Sequence, residues 1–105
     1  HEELWAVFTN RAAQVIGKTK ISQGGTTETT ADLRLILKPA IQVLASGIIL
    51  CHNHPSGLLM PSMADDQLTR NLQQAAALFQ ISLLDHLIVA DNCYYSYADE
   101  GKLGR

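Results

Sequence analysis

Apolar and polar positions alternate in a way that divides the chain into short runs. Leu4-Trp5-Ala6-Val7-Phe8 is an apolar run closed by Asn10 and Arg11, and it predicts a strand. Val15 to Ile21 predicts a second strand, joined to the first as a hairpin through residues 9–14. Ser22-Gln23-Gly24-Gly25-Thr26-Thr27 has the composition of a loop. Leu33, Ile36, Leu37, Ala40, Ile41 and Leu44 then recur at helical spacing. Thr30 is the candidate N-cap of that helix, Asp32 suits its first turn, and Gly47 ends it. Pro39 lies inside the pattern, where it removes a backbone donor and crowds the preceding turn. The helix is therefore expected to kink there or to begin later. Ile48 to His52 predicts a buried strand, broken by Pro55-Ser56-Gly57. A second helix opens at Ser62 and buries Leu68, Leu72, Ala75, Ala76 and Phe79. Leu83 to Ala90 predicts another strand, Asp91-Asn92 a turn, and Tyr94 to Tyr97 a last strand paired with the one before. The order β-β-α-β-α-β-β predicts an α/β fold: one mixed β-sheet with two main helices packed on it.

Composition narrows the class. A chain of 105 residues is one small domain, and 47% hydrophobic residues suffice for one modest core. The net charge is -2, and Lys18, Lys20, Arg34 and Lys38 are scattered, so no direct nucleic-acid binding is expected from this domain alone. Cys51 and Cys93 form no CxxC pair, which favours a reducing, cytoplasmic setting and makes Cys93 an exposed free thiol. No run approaches the roughly 18 apolar residues of a membrane span, so no membrane association is expected. The sequence begins at His1 rather than Met and reads as residues 1–105 of a single domain cut from a longer protein.

The candidate chemistry sits after the third strand. In an extended chain, residues two apart share a face, so His52 and His54 can converge on one ion. Cys51 and Asn53 point the other way. Asp65 precedes Leu68 by three residues and Leu72 by seven, which puts its carboxylate on the buried stripe of the second helix. A buried carboxylate is costly without a partner, and a metal would supply one. Asp66 should face solvent. Two histidines and an aspartate fill three positions around Zn2+ and leave the fourth for water, the make-up of a catalytic rather than a structural site. Such a site needs a carboxylate to take and return protons, and Glu2 or Glu3, just ahead of the first strand, is placed for it. Ser62 and Asp65 also have the spacing of a helix capping box, a purely structural alternative.

At these residues the chain resembles the RadC-like branch of the JAMM (MPN+) metallopeptidase family. His52-x-His54-Pro55-Ser56-Gly57-x-x-x-Pro61-Ser62-x-x-Asp65 matches that family's His-x-His, ten residues, Asp signature without a gap. Leu84-Asp85-His86-Leu87-Ile88, followed by Tyr94-Tyr95-Ser96-Tyr97-Ala98-Asp99-Glu100-Gly101, is similar to the end of RadC-like proteins. The resemblance implies a cytidine-deaminase-like sheet and zinc held by His52, His54 and Asp65. It implies Glu2 as proton shuttle, with Glu3 the fallback if the register differs by one, and Ser62 as a donor to the oxyanion. Pro39 and the apolar Leu59-Met60 depart from the family pattern without touching a ligand. The function implied is a zinc-dependent metallohydrolase acting on a peptide or isopeptide-like amide of a protein or peptide substrate. The alternative is a non-catalytic, partner-binding module of a DNA repair or mobile-element-associated protein. A zinc nucleoside deaminase is set aside, because the chain lacks His-x-Glu and Pro-Cys-x-x-Cys.

Other residues carry weaker signals. His86 is either a group behind the site or, more simply, a packed strand histidine with a structural hydrogen bond. Tyr94, Tyr95 and Tyr97 favour sheet packing over a base-stacking platform. Gly24-Gly25 favours a plain loop over a substrate flap.

Overall fold

The hairpin forms as the run pattern predicts: β1 (Glu3–Thr9) pairs antiparallel with β2 (Val15–Gln23). The structure, a computed structural model, describes residues 2–23 and 31–104; Thr30 and Gly24-Gly25 lie outside them. Helix α1 (Leu33–Gln42), β3 (Gly47–Asn53), α2 (Met63–Ala77), β4 (Ser82–Ala90) and β5 (Cys93–Ser96) follow in the expected order. The strands form one mixed sheet in the order β2-β1-β3-β4-β5. β3 is antiparallel to β1 and parallel to β4, and β5 returns antiparallel to β4.

One face of the sheet carries the core. Leu4, Ala6 and Phe8 of β1 lie opposite His52, Leu50 and Ile48 of β3, and Leu50 and His52 lie beside His86 and Ile88 of β4. Ile36 and Ala40 from α1 and Leu68, Leu72 and Ala76 from α2 join the same hydrophobic cluster. Both helices therefore cover one face, as right-handed crossovers in one direction require. Full burial of each large aliphatic in this cluster contributes about 1.5–3 kcal/mol. The opposite face exposes the half-buried Trp5, Val7, Ile49, Cys51, Leu87 and Val89. Lys18 and Lys20, far from a patch by sequence, both stand over the Trp5 ring there.

The helices differ in detail from the pattern. Asp32 caps α1 by accepting from the Arg34 N–H. Pro39 is accommodated inside α1; the partner it denies belongs to Leu35, whose residue is half exposed, so water can serve that carbonyl. The helix ends at Gln42, before the apolar spacing runs out. The Ala45 N–H bonds the Ala40 carbonyl and the Leu44 N–H the Ile41 carbonyl, with Leu44 left-handed at φ 54°. This is a Schellman ending with leucine where glycine is usual, and it turns Leu44 out to solvent. Ile41 and Phe79 are likewise exposed rather than buried. Gly47 begins β3 instead of ending α1. A Cβ there would lie 2.5 Å from Thr9 Oγ1 and 2.7 Å from Leu84 Cδ1, so the tight strand start needs glycine. No helix among the described residues is long and apolar enough to cross a membrane.

Candidate metal centre

The site forms where β1 begins, β3 ends and α2 begins. Leu4 pairs directly with His52. Glu2, two residues earlier, shares the Leu4 face, and its Oε2 lies 3.0 Å from His52 Nε2. The Glu3 backbone N–H donates to the Asn53 side chain and ties the two strand ends together. The Glu3 carboxylate points to the other face, where it accepts from Trp5 Nε1 at 2.9 Å and meets Lys20 Nζ at 3.5 Å. Those contacts, the indole N–H first, hold its pKa below the usual glutamate value. The structure thus brings Glu2, and not Glu3, to the histidines.

His54 falls one residue beyond β3. Its backbone N–H donates to the Val89 carbonyl at 3.0 Å, which extends the strand geometry past Asn53. Its Nδ1 lies 2.7 Å from the Leu58 carbonyl oxygen. A carbonyl only accepts, so Nδ1 carries a proton and donates to it. Nε2, the ring nitrogen that a neutral imidazole so bonded offers to a metal, faces Asp65 Oδ2 at 3.3 Å.

Asp65 is 5% exposed and sits in the first turn of α2. The capping box is present: the Asp65 N–H donates to Ser62 Oγ at 3.0 Å, and the Ser62 N–H donates to Asp65 Oδ2 at 2.8 Å. The same carboxylate places Oδ1 3.2 Å from His52 Nδ1. The capping and site geometries therefore coexist. Burial pushes the Asp65 carboxyl up, but His52 and the Ser62 N–H outweigh it and hold the group well below the usual range. His52 moves the opposite way. Burial opposes its protonation, yet the Asp65 and Glu2 carboxylates raise its pKa above the ordinary imidazole value.

His86 joins this cluster from β4. It is fully buried, and its ring lies parallel to Tyr97 with centroids 4.8 Å apart and 6.0 Å from the His52 ring. Its Nδ1 is 2.7 Å from Thr69 Oγ1, the structural hydrogen bond expected for it. Burial, first among several influences, lowers its pKa to about 4, so it is neutral at physiological pH. Thr69, one turn after Asp65 on α2, was not singled out in the sequence; the i+4 spacing from an inward Asp is the signal that points to it. Asp66, expected in solvent, instead accepts from the Tyr97 hydroxyl at 2.6 Å and meets Lys102 Nζ at 3.5 Å.

The donor set fits a divalent cation. Glu2, His52 and His54 bring donor atoms within 4.8 Å of one another, and so do His52, Asp65 and His86. Both His52 nitrogens and His86 Nε2 are buried without a hydrogen bond among the described residues. The Glu2 and Asp65 carboxylates stand 3.0 and 3.2 Å from the two His52 nitrogens. Imidazole nitrogens and carboxylates that converge in this way are the donor types a divalent metal takes. Cys51 faces away, and burial raises its thiol pKa, which argues against thiolate ligation.

Comparison with known proteins gives the class. A family profile described as "RadC-like JAB domain" matches residues 1–102. The chain is 50% identical over 103 residues to a UPF0758 protein of Porphyromonas gingivalis, covering 97% of this chain and 45% of that protein. It is 46% identical over 101 residues to a UPF0758 protein of Flavobacterium johnsoniae, covering 96% and 44%. A UPF0758 protein of Streptococcus gordonii is 44% identical over 102 residues, covering 97% and 45%. The chain belongs to the RadC-like JAB domain family. It spans less than half the length of these curated relatives.

Proposed function

We propose that this domain is a zinc-dependent metallohydrolase that cleaves a peptide or isopeptide-like amide. His52, His54 and Asp65 would hold the zinc. The observation that carries the reading is His54 Nε2 facing Asp65 Oδ2 at 3.3 Å, with Asp65 Oδ1 at 3.2 Å and Glu2 at 3.0 Å from His52. Zinc, when bound, polarises the amide carbonyl and acidifies a water to a pKa of about 7. Glu2 Oε2 takes one proton from the attacking water and passes it to the leaving nitrogen. Ser62 Oγ accepts from the Asp65 N–H, so its own hydroxyl proton remains free to donate to the developing oxyanion. The buried His52 and Asp65 hold the zinc side of the site, while Glu2 is half-buried at its mouth. Zinc-loaded protein incubated with a diverse peptide library tests this: cleavage by the parent, and cleavage lowered by roughly 10²–10⁴-fold in Glu2→Gln, is the expected result.

The half-buried apolar sheet face around Trp5, Ile49 and Leu87 favours a second reading, a partner-binding module of a DNA repair or mobile-element-associated protein in a cytoplasmic setting. A parent chain that binds zinc but cleaves nothing in the library would support it over the hydrolase.

A further inference from the structure

His86 is a fully buried imidazole that the proposed reaction leaves unused. Its tautomer follows from Thr69. The Thr69 hydroxyl has one proton, and it donates that proton to the Asp65 carbonyl at 2.8 Å. The contact between Thr69 Oγ1 and His86 Nδ1 at 2.7 Å must then be donated by the histidine. A neutral ring protonated at Nδ1 has its lone pair on Nε2. That atom is fully buried and has no hydrogen-bond partner among the described residues. A buried acceptor left unmatched in this way is destabilising, and a bound cation would match it. Tyr97, stacked on the ring at 4.8 Å, holds it in place. The lone pair belongs to the group of donor atoms from His52, Asp65 and His86.

We propose that the protein has a second, inner metal position formed by His52, Asp65 and His86 Nε2, in which one divalent ion of the zinc type alternates with the outer position at His54. The proposal shares His52 and Asp65 with the hydrolase reading and deepens it. Donors around a tetrahedral zinc with bonds of about 2.0–2.1 Å lie about 3.4 Å apart. The inner donors lie within 4.8 Å of one another, so small side-chain shifts close the set. The inner set draws its donors from β3, α2 and β4 and does not use His54.

The test titrates Zn2+ and Co2+ into the parent chain, His54→Ala, His86→Leu and His54→Ala/His86→Leu. Affinity is read by chelator competition and the ligand field by Co2+ absorption. His54→Ala should still bind one ion, more weakly than the parent. Adding His86→Leu should weaken that residual binding by roughly 10²-fold, the share of one ligand in a zinc site, and should change the Co2+ spectrum. If the double variant fails to fold by circular dichroism, His54→Ala/Thr69→Val carries the same comparison. Removing the Nδ1 acceptor should then cost about 10–100-fold, as for other groups that orient a ligand. Equal affinity and an unchanged Co2+ spectrum with and without the His86 or Thr69 change would overturn the inner position. An inactive parent that binds Zn2+ with the His86 dependence intact would sink the hydrolase reading alone.

Discussion

The inner and outer halves of the donor cluster are held in different ways. His52, Asp65 and His86 come from β3, α2 and β4, and none is more than 5% exposed. Each is fixed by regular structure: a central strand, a capping box and a strand hydrogen-bonded to Thr69. Glu2 and His54 lie just outside β1 and β3 and are only half-buried. Glu2 is placed by one strand register, and His54 by its contact with the Leu58 carbonyl. Rigid elements suit the atoms that must hold an ion, and segments at strand ends suit the atoms that must meet substrate. Binding should therefore depend mainly on the inner half, and turnover on the outer.

The largest effect that sharpens this division is on catalysis. Glu2→Gln should lower peptide or isopeptide cleavage by roughly 10²–10⁴-fold while zinc content stays near that of the parent. Glu3→Gln should leave cleavage unchanged, because its carboxylate is engaged by Trp5 and Lys20. Full activity in Glu2→Gln would break the division.

Zinc affinity comes next. His52 belongs to both halves, so His52→Ala should weaken binding by roughly 10²-fold or more, the share of one ligand in a zinc site. Asp65→Asn should lose zinc and activity together, since a neutral amide is a poor ligand. His54→Ala should lose less affinity than His52→Ala. Chelator competition that ranks His54→Ala as the more damaging would reverse the comparison.

A smaller effect follows from protons. Zinc must displace the proton that Asp65 and Glu2 help His52 to keep. Affinity should therefore rise with pH, about tenfold per unit, up to the raised pKa of His52 and level off above it. Calorimetry in buffers of different ionisation enthalpy should detect release of about one proton. In metal-free protein the raised His52 pKa adds stability that is full below the ordinary imidazole value and disappears as pH rises through the raised one. The depressed Asp65 pKa adds stability that is present above the ordinary carboxylate range and disappears on acidification. His86, buried and neutral, opposes the His52 contribution, because its lowered pKa removes stability as pH falls below the ordinary imidazole value. Melting temperatures of the metal-free protein should thus decline on acidification from near neutrality, and saturating zinc should raise them most on the alkaline side.

Smallest is the cap. Ser62→Ala should cost about 1 kcal/mol of stability and Ser62→Gly only a few tenths. If the hydroxyl also serves the oxyanion, both should lower cleavage alike, which separates its two tasks. Full activity in Ser62→Gly would leave Ser62 as a cap alone.

Much of this molecule is determined by local periodicity. Continuous apolar runs at Leu4 to Phe8 and Ile48 to His52 are enough to place those strands, and the period of two puts His52 on the face of Leu50, which packs inward. The three- and seven-residue spacing from Asp65 to Leu68 and Leu72 turns that carboxylate inward too. Period tells which way a side chain points from its own element, because it follows from backbone geometry within a few residues. It does not tell what lies opposite. Only the pairing of Leu4 with His52 separates Glu2 from Glu3, and only the placing of β4 beside β3 brings His86 to the site. Only the packing of α2 over β4 sets Thr69 against His86, and the turn after Ser96 brings Tyr97 to Asp66. Leu44 and Phe79 fit an apolar helical spacing and yet face solvent, because the chain must leave each helix to begin the next strand. Register and strand order come from the packing of the whole core, whose contacts join residues far apart in sequence, so they were decided by tertiary structure alone.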